Sequence, residues 1–162
     1  MSSRRVSVRR RAADDVDPLV AVLAQVQALD AYPVRPGNVR AQWVLGDAHT
    51  HAHAWVAELD GAVVGHVALA PRGAQEAEVT RFFVGPAARG TGCATALLDV
   101  AEAAAAGAGD RLVLTVVAHN LDAVRLYERR GWRRVRTYRA EWFGPGGPWP
   151  QAHDYVLERE VR

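Results

Sequence analysis

Arg89-Gly90-Thr91-Gly92-Cys93-Ala94-Thr95 stands between a strand-like run, Glu76 to Val84, and an Ala/Leu-rich helical run closed by Gly107 and Gly109. Leu97, Leu98, Ala101, Ala104 and Ala105 share one face of that helix. A strand that turns into a helix through glycines brings backbone N–H groups to the helix's positive end, where they can converge on an anion. Glycine at positions 90 and 92 permits positive φ and lets an oxygen approach the main chain closely. The same pattern also suits an ordinary glycine-rich turn that binds nothing. It is not a dinucleotide fingerprint, because Gly-x-Gly-x-x-Gly fails at Thr95 and no supporting unit with an acidic residue follows.

Working outward, Val6 to Arg10 alternates apolar and polar as a first strand, and the Asp-rich stretch from Asp14 to Asp17 starts a helix that runs to about Leu29. Tyr32 to Gly37 carries two prolines and reads as a loop; Val39, Gln42, Trp43 and Gly46 predict a short second helix. Asp60-Gly61 joins strands His53 to Leu59 and Ala62 to Ala70 as a hairpin, and Glu76 to Val84 extends the meander. Arg111 to Val117 is nearly all apolar, as expected of a strand covered on both faces. Asn120 reads as the N-cap of a helix with Ala123, Leu126 and Tyr127 on one face, ending at Gly131. Trp132 to Trp142 and Tyr155 to Val161 are the expected closing strands. The order β-α-α-β-β-β-α-β-α-β-β is that of an α/β chain with a mixed sheet.

At 162 residues, 49% apolar and 23% charged, the chain has the size and composition of one globular domain, expected to span 1–162. All twenty basic side chains are Arg, which removes Schiff-base, phosphate-loop-lysine and kinase-type chemistry. Serine occurs only at Ser2, Ser3 and Ser7, so a strand-to-helix serine nucleophile is also missing. One cysteine, Cys93, excludes an intrachain disulfide and a cysteine-based zinc site. No apolar stretch reaches the roughly 18 residues of a membrane span, and no secretory core follows the Arg-rich start; a cytoplasmic location is expected.

With its surroundings, the glycine segment resembles the pyrophosphate-binding motif of the GNAT-type N-acetyltransferase superfamily, Arg/Gln-x-x-Gly-x-Gly/Ala, here Arg89, Gly92 and Ala94. Glu78-Val79-Thr80-Arg81-Phe82-Phe83-Val84-Gly85-Pro86 is similar to that family's fourth strand and the turn after it. Asn120-Leu121-Asp122-Ala123-Val124-Arg125-Leu126-Tyr127, followed by Gly131-Trp132, is similar to its second hallmark, Asn-x-x-Ala-x-x-Leu-Tyr and Gly-aromatic. The resemblance covers the element order from Val6 to Glu160, and its specific residues lie between Glu78 and Trp132. Ala94 replaces the commoner glycine, and Cys93 occupies a usually aliphatic position.

The resemblance implies a mostly antiparallel, twisted sheet of about seven strands with four helices, splayed between strands 4 and 5. It implies acetyl-CoA as donor, with its pyrophosphate on the amides of Arg89, Gly90, Thr91, Gly92, Cys93, Ala94 and Thr95. Its pantetheine would lie beside Phe83 and Val84, with Asn120 and Tyr127 nearby. Acetyl would pass directly to a primary amine, more readily of a small molecule than of a protein, and a homodimer is expected. Nucleic acid is not an expected partner. Two other classes remain open: a non-catalytic acyl-CoA-binding or regulatory module, and an Arg-rich nucleic-acid-binding protein.

Attack on a thioester needs a neutral amine, and deprotonating a lysine-like amine at pH 7 costs roughly 4.6 kcal/mol, against about 1.4 for an α-amine. The resemblance assigns Glu78 as base and Tyr127 as the acid that meets the departing thiolate. Glu76, on the same strand face, and His119 are rival bases. His49, His51 and His53 alternate and would share one face of a strand, but the family reading needs no metal. Arg125, Arg129, Arg130, Arg133, Arg134, Arg136 and Arg139 form a solvated basic face, from which one, or Arg89, would reach the 3′-phosphate of coenzyme A. The Gly144 to Pro150 loop is either a lid over the acceptor, with Trp149 as wall, or a plain connection.

Overall fold

The computed structural model describes residues 4–46, 53–143 and 147–158. In chain order these form β1 (Val6–Arg10), α1 (Val16–Asp30), α2 (Ala41–Leu45), β2 (His53–Leu59), β3 (Ala62–Pro71), β4 (Glu76–Val84), α3 (Cys93–Ala108), β5 (Arg111–Val117), α4 (Leu121–Arg129), β6 (Arg133–Arg139) and β7 (Gln151–Leu157). The seven strands make one sheet in the order β1-β2-β3-β4-β5-β7-β6. Every neighbouring pair is antiparallel except β4 with β5, so the expected mixed sheet with four helices is what the chain forms.

Helices cover both faces. On one, Leu97, Leu98, Ala101 and Ala105 of α3 and Val124 and Tyr127 of α4 pack against Trp55, Ala57, Val67, Val79 and Leu114 of the sheet. On the other, Leu19, Leu23 and Val26 of α1 and Val44 of α2 pack against Val56 and Phe83. Trp55, Val56 and Ala57 thus alternate between the two cores, as the period of a strand requires.

Two features of β4 shape the molecule's centre. Its pairing with β5 covers only Glu76, Ala77 and Glu78 against Arg111, Leu112 and Val113; beyond these the strands part. The expected splay between strands 4 and 5 is therefore present. Against β3, the register slips between His66 and Ala68, because Arg81 and Phe82 together face Val67 in a β-bulge. Arg81 takes φ 50°, a left-handed conformation that costs a non-glycine residue roughly 1–2 kcal/mol. Buried His66 braces the bulge: its Nδ1 is 2.7 Å from the Arg81 carbonyl and its ring stacks on Phe83 at 5.5 Å.

Several boundaries differ from expectation. Helix α1 is preceded by a 3₁₀ turn, Ala13–Asp15, where buried Asp15 takes two 2.8 Å bonds from Arg9 and one of 2.6 Å from the Ala12 N–H. Gly107 lies inside α3, and Gly109, at φ 76°, ends it. Strand β5 is not covered equally: Leu112, Leu114 and Val116 are buried, whereas Val113, Thr115 and Val117 are half-buried. Strand β6 stops at Arg139 and gives way to a 3₁₀ turn, Glu141–Phe143. Strand β7 begins at Gln151, four residues before the expected Tyr155, because its polar residues find partners between two strands. Thr115 Oγ1 donates to Asp154 at 2.7 Å, and His153 Nδ1 lies 2.7 Å from Thr137 Oγ1. Residues 159–161 of the expected strand lie outside the described residues.

Candidate active site

The turn after β4 is built as its glycines suggest, with Gly90 at φ 74° and Gly92 at φ 91°. The first α3 bond runs from the Ala96 N–H to the Gly92 carbonyl at 2.9 Å, so the N–H groups of Cys93, Ala94 and Thr95 are the unpaired donors of the first turn. The N–H groups of Gly90 and Gly92 also have no acceptor among the described residues. Two of the seven expected amides are committed instead: Arg89 N–H to the Pro86 carbonyl at 3.3 Å and Thr91 N–H to the Ala88 carbonyl at 3.4 Å. The Thr91 hydroxyl also bonds the Ala88 carbonyl and lies 3.3 Å from Cys93 Sγ. Thr91 does not line the cavity that Arg89, Gly90, Gly92, Cys93, Ala94 and Thr95 line. The Arg89 guanidinium pairs with Asp30 at the end of α1, which ties the turn to the helix on the opposite face.

That cavity, about 920 Å³, runs from the amide turn into the gap between β4 and β5. Phe83, Val84 and Asn120 line it, together with Leu114 to Val117 across the gap. The Phe83 ring is buried in the α1 core, so its main chain is what the gap meets. The Asn120 side chain accepts the Ala123 N–H at 3.3 Å and caps α4, as its place in the sequence implies. Tyr127 is buried among Phe82, Trp132 and Tyr155, and its hydroxyl has no hydrogen-bond partner among the described residues. Burial pushes this phenol well above its ordinary pKa, with a further push from Tyr32, so it stays protonated throughout the physiological range.

Glu78 is the last β4 residue paired with β5, and it lines both the main cavity and a smaller one bounded by Arg72, Thr115, Arg136, Tyr138 and Asp154. Desolvation raises its pKa, opposed by Arg72, at 3.5 Å, and by Arg81. Glu76, two residues away, is held by Arg111 at 2.5 and 3.1 Å and lines neither cavity. His119 is exposed and lines neither.

The α1–α2 side supplies residues that pattern alone did not single out. Tyr32 meets Trp43 edge-on at 5.7 Å and Phe83 at 6.4 Å, and all three line the cavity. Burial pushes the Tyr32 phenol up to about 12, against the pull of Arg81 and of the Phe82 N–H. Arg81 projects over the Trp43 indole, its Cζ 4.0 Å from the ring centre, and its Nε donates to the Trp43 carbonyl at 2.9 Å. The only sequence signals were the aromatics themselves, because α2 reaches β4 by a contact 38 residues long.

The expected solvated basic face proves partly structural. Arg130 binds Glu102 and Asp99 of α3 at 2.7 Å each, Arg134 binds Glu128 at 2.9 Å, and Arg133 binds Glu158 at 3.1 Å. Arg125 and Arg129 line the cavity. Of the histidine series, His49 and His51 lie outside the described residues, and exposed His53 approaches Arg10 at 3.1 Å. Among the described residues no group of three or more His, Cys, Asp or Glu is placed to hold a metal. Gly144, Pro145 and Gly146 lie outside the described residues; Trp149 lines neither cavity, whereas Trp142 lines both.

Residues 20–132 match the model of the Acetyltransferase (GNAT) family. In fold the chain is similar to an N-acetyltransferase from Staphylococcus aureus Mu50, at 21% identity and a TM-score of 0.77, covering 95% of this chain and 98% of that one. It is also similar to the ribosomal-protein-S18-alanine N-acetyltransferase from Escherichia coli, at 17% identity and a TM-score of 0.74, covering 94% and 93%. A third similar structure, yncA from Salmonella typhimurium with its cofactor acetyl-CoA, has 18% identity and a TM-score of 0.72, covering 98% and 96%. None of the curated proteins matches the chain.

Proposed function

The chain belongs to the acetyltransferase (GNAT) family, and on that premise we propose that it moves acetyl from acetyl-CoA to a primary amine of a small molecule by direct attack in a ternary complex. The observation that carries this reading is the row of five N–H groups, Gly90 and Gly92 to Thr95, that have no acceptor among the described residues and belong to residues lining a cavity that continues into the β4–β5 gap. Such amides suit a diphosphate, because aligned donors and the helix dipole favour negative charge without needing lysine. The parted edges of β4 and β5 suit the amides of a pantetheine arm, which would add to the sheet as an extra strand does.

Bound acetyl-CoA supplies the activated thioester. Glu78 takes the proton of the incoming ammonium; its raised pKa brings it nearer the operating pH, where a base is most effective. Tyr127 faces the departing sulfur with a hydroxyl that nothing else occupies. Its pKa exceeds that of a free thiol, near 8.5, so its first contribution is a hydrogen bond that stabilises the thiolate. No residue of the chain becomes acylated, which agrees with the lack of Lys and of a suitably placed Ser.

Two measurements test the reading. Saturating acetyl-CoA is expected to raise the melting temperature, and at a hundred times Kd the stabilisation is about 2.7 kcal/mol. Free thiol release across an amine panel separates transfer from mere binding. Thermal stabilisation without thiol release from any amine would leave only an acyl-CoA-binding module, and no stabilisation would remove both readings. A cytoplasmic homodimer is part of the proposal, and light scattering at micromolar concentration tests the dimer.

A further inference from the structure

A half-buried guanidinium in a folded protein usually has a carboxylate, because charge removed from water must be paired. Half-buried Arg130 follows that rule with Glu102 and Asp99, whereas half-buried Arg11 is held by the Val44 carbonyl and His66 Nε2 instead. Arg81 also departs from it. It is half-buried and lines the main cavity, yet the only hydrogen bond of its side chain among the described residues is the one from Nε to the Trp43 carbonyl. The indole beneath it fixes the plane of the guanidinium, and the two terminal nitrogens have no partner among the described residues.

The backbone under Arg81 is equally committed. A left-handed non-glycine residue in a bulge is a local strain held by its surroundings. Here the holder is His66, fully buried and bonded to the Arg81 carbonyl. The side chain is therefore presented, not loosely tethered, and three residues along the same strand stands Glu78, on the same cavity.

Resting on the acetyl-transfer reading, we infer that Arg81 receives an anionic group of the acceptor: the amine carries a carboxylate beside it, as a free α-amino acid does. A guanidinium offers two parallel donors that match a carboxylate in a way an ammonium does not. Glu78 and Arg81 then meet the two charges of a zwitterion, the carboxylate taking the ammonium's proton and the guanidinium holding the acid end. Tyr32 and Trp43 give the walls between them an aromatic character suited to an apolar side chain. A peptide N-terminus, whose neighbouring carboxyl is an amide, would leave Arg81 unanswered.

The experiment compares the twenty L-amino acids with their methyl esters and decarboxylated amines as acceptors, reading thiol release in the wild type, Arg81→Met and Arg81→Lys. The expected result is a preference, in kcat/KM, of about ten- to a hundredfold for the acid over its ester, the size of a hydrogen bond to a charged group. Arg81→Met should bring that ratio close to one, and Arg81→Lys should retain part of it. Acetyl-CoA titration and the melting temperature of each variant check that it is folded. Turnover of esters and amines as good as that of acids, or a ratio that survives in Arg81→Met, overturns the inference while leaving acetyl transfer intact. Should no acceptor release thiol, the transfer reading fails and the subsite is read by binding alone. Intrinsic tryptophan fluorescence at saturating coenzyme A would then be titrated with each acid and its ester. Selective binding of acids, lost in Arg81→Met, supports the subsite; equal binding, or none, overturns it.

Discussion

A phenol with no hydrogen-bond partner among the described residues keeps its proton for something that arrives from outside. Tyr127 is in that position, and Tyr127→Phe is expected to lower kcat by about 10² with little change in acetyl-CoA affinity, measured by single-turnover kinetics and calorimetry. Glu78 makes a pH prediction. Burial holds its proton to a higher pH than the ordinary value of 4.5. As base it must be ionised, so kcat/KM should fall on acidification with an inflection above 4.5. Glu78→Gln should lose that acid limb along with most of the rate. Tyr127 was legible from its place in Leu126-Tyr127 before Gly131-Trp132. Arg81 and Trp43 were not, because the meaning of each depends on a partner in another element that no local pattern reveals.

At the scale of elements, the amide turn depends on a backbone that only glycine adopts readily. A Cβ on Gly92 would meet nothing within 4 Å, so its φ of 91° alone sets the cost of Gly92→Ala. The expected loss is about 1 kcal/mol in denaturant unfolding, with acetyl-CoA Kd weakened roughly tenfold as the first-turn N–H groups are re-aimed. The strands of the meander, the Asp60-Gly61 hairpin and α4 with its Asn120 cap could be read from period and turn chemistry. The start of β7 could not: Gln151-Ala152-His153-Asp154 reads as polar loop. It becomes strand because β5 and β6 enclose it and Thr115, Tyr138 and Thr137 answer its polar groups. The bulge in β4 was hidden for a related reason, since Arg81 looks like any outward residue of an alternating strand until His66 is found behind it.

For the whole molecule, two cores on opposite faces of one sheet must be joined to each other, and Asp15 is one of the joints. It lies between β1 and α1, nearly inaccessible, with Arg9 holding its pKa below the ordinary 3.8. A depressed carboxyl pKa contributes stability that is present above the unfolded value and is lost as pH falls through the folded one. Asp15→Asn is therefore expected to cost about 1–3 kcal/mol at pH 7, reduced by the solvent that reaches half-exposed Arg9. Urea unfolding of wild type and variant should converge as the pH falls through the lowered pKa of folded Asp15, where the wild-type carboxyl becomes neutral as well.

The early parting of β4 from β5 divides the molecule's exposure to change. In the proposed complex the thioester half is met by main-chain donors and acceptors, which replacement of a side chain does not remove. The acceptor is met by the side chains of Tyr32, Trp43 and Arg81, each one substitution from a different chemistry. Such a scaffold can drift toward new amines while its donor preference stays fixed, and variation should concentrate on the side of the sheet that α1 and α2 cover.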